Sequence, residues 1–364
     1  NIGVGAAPFV AAGAWRDDTL DRSWRDPTPR ELHDAIDHFH LPSAGVRGDP
    51  TWAEWHYFNV LSSDRRRWAF ISFIVGGAVP AGEWGGQVLV TLHAQGGAER
   101  RFVAVVPRTA VRFSTTDADL AMGSSSVTLL PDGRYALRAT AREEGTGAPL
   151  DVDLVVTPSP HDYFPGAALA NGDVESGYVV PGLRASATGT ICVAQQCDRY
   201  DDAQAYHDHN WGTWRGVTWE WGASRAGAYT LLYGRVQASD SATRQPLFVY
   251  LVDSLGFLGL FRPADIHYVD GRTVRASTGA MIRVPSTATM IDVRGGDSLQ
   301  INLTIEDATA TDTRGSTAVR GDALAARGFM RPYFVQMKGL MRIRGRVGGR
   351  SIGGEGSGFF ETYR

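Results

Sequence analysis

Residues 206–212, with the sequence YHDHNWG, concentrate side chains that can do chemistry. On a strand, alternate side chains face opposite sides. One side would then carry the carboxyl group of Asp208 between Tyr206 and Asn210. The other side would carry the imidazoles of His207 and His209 and the indole of Trp211. The sequence leaves three interpretations open: a metal site, an acid–base site, or a polar cluster that joins two sheets.

The metal interpretation lacks a ligand. Two histidines at this spacing can bind a metal ion, but a catalytic zinc site needs a third protein ligand. His56 and His161 would serve only if the fold brought them close. We therefore predict no metal and no cofactor.

The acid–base interpretation centres on Asp208. Burial among aromatic rings would disfavour its charged form and make the carboxyl a proton donor. His207 or His209 could hold or recycle that proton. In the structural interpretation, Asp208 instead accepts bonds from backbone amides, and carbonyl groups satisfy the histidines. For the cluster as a whole, we favour a functional pocket.

Residues 54–59, EWHYFN, form a second candidate cluster. Trp55, Tyr57 and Asn59 alternate with His56 and Phe58, as on a strand with two occupied faces. A histidine and an asparagine among three aromatics each need a partner if they are buried.

The elements that position these clusters are predicted to be strands. Helical periodicity is confined to residues 28–39, with Thr28 as the N-cap, and to residues 322–326. Residues 37–40, DHFH, are interpreted as the solvated end of the first helix. Elsewhere, short β-rich runs lie between glycine, proline or charged turns. These runs are 67–75, 86–92, 102–106, 152–157, 229–236, 247–251, 266–269, 280–284, 298–305 and 341–347. This pattern predicts an all-β protein with few short helices.

The chain of 364 residues exceeds what one core usually serves, so two domains are expected. We place an N-terminal extension at 1–45, a first β domain at 46–215 and a second at 216–364. Residues 206–212 would then lie beside the junction, where ligand sites are common.

Composition excludes several classes of function. A net charge of −3 disfavours nucleic-acid partners, and no apolar run is long enough for a transmembrane segment. There is no Walker loop and no dinucleotide fingerprint. No signal peptide begins the given chain, so localisation, cytoplasmic or exported, is open, as is the oligomeric state. Cys192 and Cys197 fit either a hairpin disulfide or two free thiols.

Five separated patches carry a resemblance to a known family. They are EWHYFNV, RRRWAFISF, YHDHNWG, WEWGA and the terminal GEGSGFFETY, in that order. Together they resemble the carotenoid 1,2-hydratase (hydroxyneurosporene synthase) and AttH-like superfamily, which includes lipocalin-like Diels–Alderases. The resemblance implies two lipocalin-like or β-sandwich domains with a long apolar pocket.

The family motif Asp-His-x-x-Gly maps onto Asp208, His209 and Gly212. Its aromatic first-strand motif maps onto Trp55, Tyr57 and Asn59, with His56 where another aromatic is expected. Residues 1–45 have no counterpart.

The resulting hypothesis is a cofactor-independent enzyme that binds a large apolar polyene or terpenoid and hydrates or cyclises it by protonation. The expected catalytic residues are Asp208 as the acid, His207, His209 and Tyr57. The expected substrate contacts are Trp55, Asn59, Tyr206, Trp211, Trp219 and Trp221. The alternatives are a pericyclase of natural-product biosynthesis, such as an intramolecular Diels–Alderase, and a non-catalytic lipocalin-like binding protein.

Overall fold

The computed structural model describes residues 37–171, 174–214, 217–237, 247–313 and 331–364. The helix predicted at 322–326 and residues 28–36 of the helix predicted at 28–39 lie outside these ranges. Residues 37–40 are not helical; they form a bend and an irregular segment.

The described part of the chain is built almost entirely from antiparallel strands, which confirms the all-β prediction. It contains a short 3-10 turn at Arg108–Ala110. Each predicted β-rich run falls on a strand. By contact, the described residues divide into two compact units, 37–214 and 217–364.

In the described residues, the first unit contains twelve strands. They are β1 (Trp52–Leu61), β2 (Arg67–Gly77), β3 (Trp84–Ala94), β4 (Arg100–Pro107), β5 (Val111–Phe113), β6 (Leu120–Met122), β7 (Ser125–Leu129), β8 (Tyr135–Glu143), β9 (Pro149–Pro158), β10 (Phe164–Asn171), β11 (Val174–Val193) and β12 (Gln196–Thr213).

The sheet of the first unit closes into a ring of strands. The sheet runs β11-β12-β1-β2-β3-β4-β8, and β9 pairs with both β8 and β11. These eight strands therefore form a complete ring, and they surround a core that includes Phe58, Phe73, Tyr135 and Trp211. The two candidate clusters lie in this ring, on β1 and β12.

The pairing of β1 with β12 sets the site. Its register places His56 opposite His209, Phe58 opposite His207, and Tyr57 opposite Asp208. Because directly opposed residues share a face, each strand has a core face and an outer face. We use "core face" for Glu54, His56, Phe58, His207, His209 and Trp211, and "outer face" for Trp55, Tyr57, Asn59, Tyr206, Asp208 and Asn210.

The glycine of the Asp-His-x-x-Gly motif allows β11 to approach β12 closely. Gly212 has φ +143°, and a Cβ there would lie 2.3 Å from the carbonyl oxygen of Glu175. Only glycine fits this backbone without strain.

The hairpin between β11 and β12 ends in a disulfide. Cys192 and Cys197 are paired across the two strands, with their Cα atoms 4.0 Å apart. Of the two states that the sequence left open, the structure has the disulfide.

The second unit has its own sheet and its own core. Its strands are β13 (Thr218–Ala226), β14 (Tyr229–Gln237), β15 (Phe248–Asp253), β16 (Gly256–Phe261), β17 (His267–Val269), β18 (Arg272–Arg275), β19 (Met281–Val284), β20 (Thr287–Arg294), β21 (Asp297–Asp312), β22 (Tyr333–Val347) and β23 (Arg350–Tyr363). Nine of them pair in the order β16-β15-β14-β13-β23-β22-β21-β20-β17, and β18 pairs with β19. Leu231, Val249, Met290 and Phe360 lie in this core.

Among the described residues of both units, no helix has the length and apolarity needed to cross a membrane.

Candidate functional site

The core face of β1 and β12 carries a buried polar cluster. Four of its members lie on the two strands: Glu54 and His56 on β1, and His207 and His209 on β12. Glu54 precedes His56 by two residues, so both face the same side of β1. Two further members, Asp37 and His40, come from the segment that precedes β1. All six side chains are buried, so each polar atom that water would otherwise satisfy needs a partner in the protein.

His209 bridges two carboxylates. Its Nδ1 donates to Oδ1 of Asp37 at 2.9 Å, and its Nε2 donates to Oε1 of Glu54 at 2.7 Å. Side-chain exposure is 0% for His209, 0% for Asp37 and 1% for Glu54. Burial alone would lower the pKa of His209, but the bonds to Asp37 and Glu54 outweigh burial and raise it to about 9. His209 is therefore an imidazolium at neutral pH.

Glu54 also anchors the segment before β1. Its carboxylate accepts bonds from the backbone N–H of His40 at 2.9 Å and from Nδ1 of His40 at 3.0 Å. Burial lowers the pKa of His40 to about 4 despite the bond to Glu54, so this ring is neutral. The ring stacks on Trp211, with centroids 3.5 Å apart.

The two remaining histidines are packed against aromatic rings and each other. Nδ1 of His207 donates to the backbone oxygen of Tyr57 at 3.0 Å, and its ring stacks on Phe58. The ring centroids of His56 and His209 are 4.0 Å apart, and those of His56 and His207 are 5.4 Å apart. Burial lowers the pKa of His56 well below its usual value, so His56 is neutral.

Tyr135 completes the cluster on the side of Asp37. Its hydroxyl donates to Oδ2 of Asp37 in a short hydrogen bond. Burial, with the nearby Asp37 carboxylate, raises the pKa of Tyr135 well above its usual value, and the phenol stays protonated. Asp37 is thus held by a phenol at one oxygen and an imidazolium at the other.

The outer face holds the predicted acid. Asp208 is buried, and its carboxylate accepts bonds from the Tyr206 hydroxyl at 2.7 Å and from Nδ2 of Asn210 at 2.6 Å. The Tyr57 ring lies 6.3 Å from that of Tyr206. Trp55 and Tyr57 are half-buried on this face, and Asn59 is buried. Tyr206, Tyr57 and Asn210 therefore surround a carboxyl group from which bulk water is largely excluded.

The structure separates residues that the sequence grouped as catalytic. Asp208 and Tyr57 lie on the outer face, whereas His207 and His209 lie on the core face. Because the strand lies between the two faces, neither imidazole adjoins the Asp208 carboxyl. The exchange of a proton between Asp208 and a neighbouring histidine is thus not supported by the geometry.

The predicted substrate contacts are also divided. Trp55, Asn59 and Tyr206 share the outer face with Asp208, and Trp211 is buried on the core face against His40. Trp219 and Trp221 lie on β13 of the second unit, where Nε1 of Trp219 donates to Glu361 at 2.8 Å.

The fold supplies the third ligand that the metal interpretation lacked. Pairing of β1 with β12 brings His56 beside His207 and His209. Two sets of three residues, Asp37/His56/His207 and His40/Glu54/His209, each place one possible ligand atom per residue within 4.8 Å of the others. His161 is exposed and belongs to neither set.

Sequence reasoning missed Asp37, His40 and Glu54. The interpretation of residues 37–40 as a solvated helix end is wrong: Asp37, Phe39 and His40 are all buried, because this segment packs into the first core. Two signals were available. DHFH repeats the acid–imidazole composition of residues 206–212, and Glu54 has the same strand parity as His56.

A cleft lies elsewhere in the first unit, beside the disulfide hairpin. It has a volume of about 210 Å³, and its lining includes Arg67, Trp68, His93, Arg100 and Tyr200. His93 is buried, and its ring is parallel to that of Trp68 at 5.2 Å.

The described part of the chain is all-β and divides into two units, and its fold is shared by solved structures that include an AttH-like protein. A Nitrosomonas europaea protein assigned as AttH matches with a TM-score of 0.57 and 16% identity, over 90% of this chain and 98% of that one. Kievitone hydratase from Nectria haematococca matches at 0.50 with 13% identity, over 91% and 94%. CghA, a Diels–Alderase, matches at 0.51 with 13% identity, over 93% and 96%. No family model and no curated protein matches the sequence. At these identities the likeness establishes a shared fold.

Proposed function

We propose that this chain is an enzyme that hydrates or cyclises a large apolar, unsaturated small molecule, with Asp208 as the proton donor. The observation that carries the proposal is a buried carboxyl group set among half-buried aromatic rings on the outer face. The likeness of the fold to a hydratase and to a Diels–Alderase adds support.

The proposed reaction begins with transfer of the Asp208 proton to one carbon of a C=C bond. The π electrons form the new C–H bond, and the other carbon becomes a cation. In hydration, water adds to the cation and returns a proton to Asp208, so the net change is addition of one water. In cyclisation, a second C=C bond attacks the cation, and loss of a proton to Asp208 gives an isomer.

Neighbouring side chains have distinct roles in this scheme. The Tyr206 hydroxyl and the Asn210 amide donate to Asp208 and stabilise its carboxylate once the proton has left. The ring faces of Trp55 and Tyr57 can stabilise the cation. His207 acts through the backbone, because its bond to the Tyr57 carbonyl fixes the strand that carries Tyr57.

A pericyclase is the second candidate, and the likeness to CghA favours it. Such a site would hold a flexible polyene in its reactive shape, which can lower the barrier substantially. The Asn59 amide or the Tyr57 hydroxyl could donate a hydrogen bond to a substrate carbonyl, and no proton would be transferred to carbon.

Isotope labelling separates these reactions. Purified protein is incubated with linear polyenes and terpenoids in deuterium oxide or in water enriched in oxygen-18, and products are analysed by mass spectrometry. Hydration incorporates both isotopes, whereas proton-initiated cyclisation incorporates deuterium on carbon alone. A pericyclic product carries neither label and supports the second candidate. Recovery of bound but unaltered polyene contradicts both and identifies a binding protein.

Substitution of Asp208 tests the assignment of the acid. We expect Asp208→Asn to lower kcat by about 10²–10⁴-fold, the usual contribution of a general acid. Asp201→Asn is the matched control, because Asp201 is an exposed aspartate on the same strand. Unchanged turnover in Asp208→Asn, with the substrate still bound, would remove Asp208 from the mechanism.

A further inference from the structure

We infer that Asp37, His56 and His207 form a binding site for one divalent first-row transition metal ion inside the first unit. The three residues come from three places in the chain: the segment before β1, β1 itself, and β12. One possible ligand atom from each lies within 4.8 Å of the other two, and all three side chains are buried. Two imidazoles with one carboxylate are a donor set that zinc and iron(II) sites use.

An unsatisfied nitrogen points to a ligand. Nδ1 of His56 is buried and makes no hydrogen bond with any residue in the described ranges. A buried polar atom without a partner is costly, and coordination of a metal ion would satisfy it.

The surroundings of the other two ligands are those of a prepared site. Nδ1 of His207 donates to the Tyr57 carbonyl, which can only accept, so Nε2 is the nitrogen of this ring that would coordinate an ion. Both oxygens of Asp37 are oriented by hydrogen-bond donors, His209 and Tyr135. Metal ligands are commonly fixed in this way by a shell of hydrogen bonds.

The neighbouring set, His40/Glu54/His209, is less suited to an ion. Oε1 of Glu54 already accepts from His209 at 2.7 Å and from His40 at 3.0 Å. In a tetrahedral site with bonds of about 2.0–2.1 Å, ligand atoms are about 3.3 Å apart. The nitrogen atoms of His209 and His40 lie closer than that to Oε1 of Glu54, at hydrogen-bond distances of 2.7 Å and 3.0 Å. An ion there would have to break hydrogen bonds that satisfy all three groups.

Zinc and cobalt are the probes. Chelator-treated full-length protein is dialysed against Zn²⁺, bound metal is measured by elemental analysis, and affinity is measured by competition with a chromophoric chelator. We expect one Zn²⁺ per chain, and an intense visible Co²⁺ spectrum typical of four-coordination. A wild-type protein that binds no stoichiometric Zn²⁺ overturns the proposal whatever the variants do.

The variants distinguish the ligands from other histidines. His56→Gln and His207→Gln should each weaken Zn²⁺ binding by more than about 100-fold, and Tyr135→Phe by about 10–100-fold through the orientation of Asp37. His40→Gln, in the neighbouring set, and His93→Gln, a buried histidine in the cleft, should leave affinity unchanged. Binding that depends on His40 but not on His56 refutes this ligand set. If a His56 or His207 variant does not fold, X-ray absorption of the wild-type zinc complex must still show two imidazole ligands.

The proposed ligands lie on the core face, whereas Asp208 lies on the outer face, so Asp208 takes no part in metal binding. Asp208→Asn should therefore bind Zn²⁺ as the wild type does. In the wild-type protein, turnover without stoichiometric zinc binding would refute the metal site alone, and zinc binding without turnover would refute the proposed reaction alone.

Discussion

At the scale of single residues, Glu54 accepts hydrogen bonds from three donor groups of the buried cluster. Its carboxylate accepts hydrogen bonds from the backbone N–H of His40, from Nδ1 of His40 and from the His209 imidazolium. Removal of one partner from a buried charged pair leaves the other charge uncompensated. Glu54 thus links β12 to the segment before β1 through one side chain.

We expect Glu54→Gln to destabilise the first unit by about 3–5 kcal/mol, the usual cost of breaking a buried ion pair. The free energy of opening is measured by hydrogen exchange at amides of β1 and β12. Asp132→Asn is the control, because Asp132 pairs with Arg134 on the surface and the change should have little effect. Equal protection in the two variants would show that the Glu54 pairs contribute no net stability.

At the scale of elements, β11 is shaped to fit the indole on β12. A Cβ at Gly177 would lie 2.2 Å from Cε2 of Trp211, so any larger residue there collides with the ring. The same ring is stacked on His40. The glycine on β11 therefore sets the position of an aromatic wall of the buried cluster.

Gly177→Ala should destabilise the first unit by about 1–3 kcal/mol, as is typical when a well-packed core is overfilled. Chemical denaturation gives the change. Gly353→Ala on β23 is the control, since its nearest neighbour would lie 3.5 Å away and its effect should stay within about 0.5 kcal/mol. A Gly177→Ala protein as stable as the control would mean that Trp211 moves aside at no cost.

The positions of the strands along the chain were predictable from sequence to a much greater extent than the pairing between strands. Runs such as 67–75 and 298–305 became β2 and β21 because β-branched and aromatic residues between turns fix strand location locally. The side-chain alternation in residues 206–212 was likewise a local property. The pairing of His56 with His209 was not predictable locally, because it depends on which strand lies beside β12. The same holds for the hydrogen bond between Glu54 and His209, which are 155 residues apart in sequence.

At the scale of the whole molecule, the residues that the structure describes form two separate cores, one for each unit. The ring of eight strands in the first unit is what gives β1 and β12 a core face and an outer face with different chemistry. No local pattern encodes that closure, since β9 must pair with both β8 and β11. The polar side chains that the sequence assigned to one pocket consequently lie in two groups on opposite sides of a sheet.

Buried neutral histidines link the folding of the chain to pH, and His93 isolates this effect from the candidate sites. Burial lowers the pKa of His93 from 6.5 to about 4. In the unfolded chain the ring takes up a proton as pH falls below 6.5, whereas in the folded chain it does so only near pH 4. The stability that its neutral burial contributes is thus full above pH 6.5 and is lost as pH falls from 6.5 to about 4.

For His93→Gln, the loss of stability between about pH 7.5 and pH 4 should be smaller than in the wild type by about 3 kcal/mol, since each pKa unit corresponds to about 1.4 kcal/mol. Urea denaturation at both pH values gives the difference, and any pH-independent cost of the substitution cancels. His161→Gln, at an exposed histidine, should follow the wild-type curve. Parallel curves for His93→Gln and wild type would show that His93 is protonated, or accessible to water, in the folded protein.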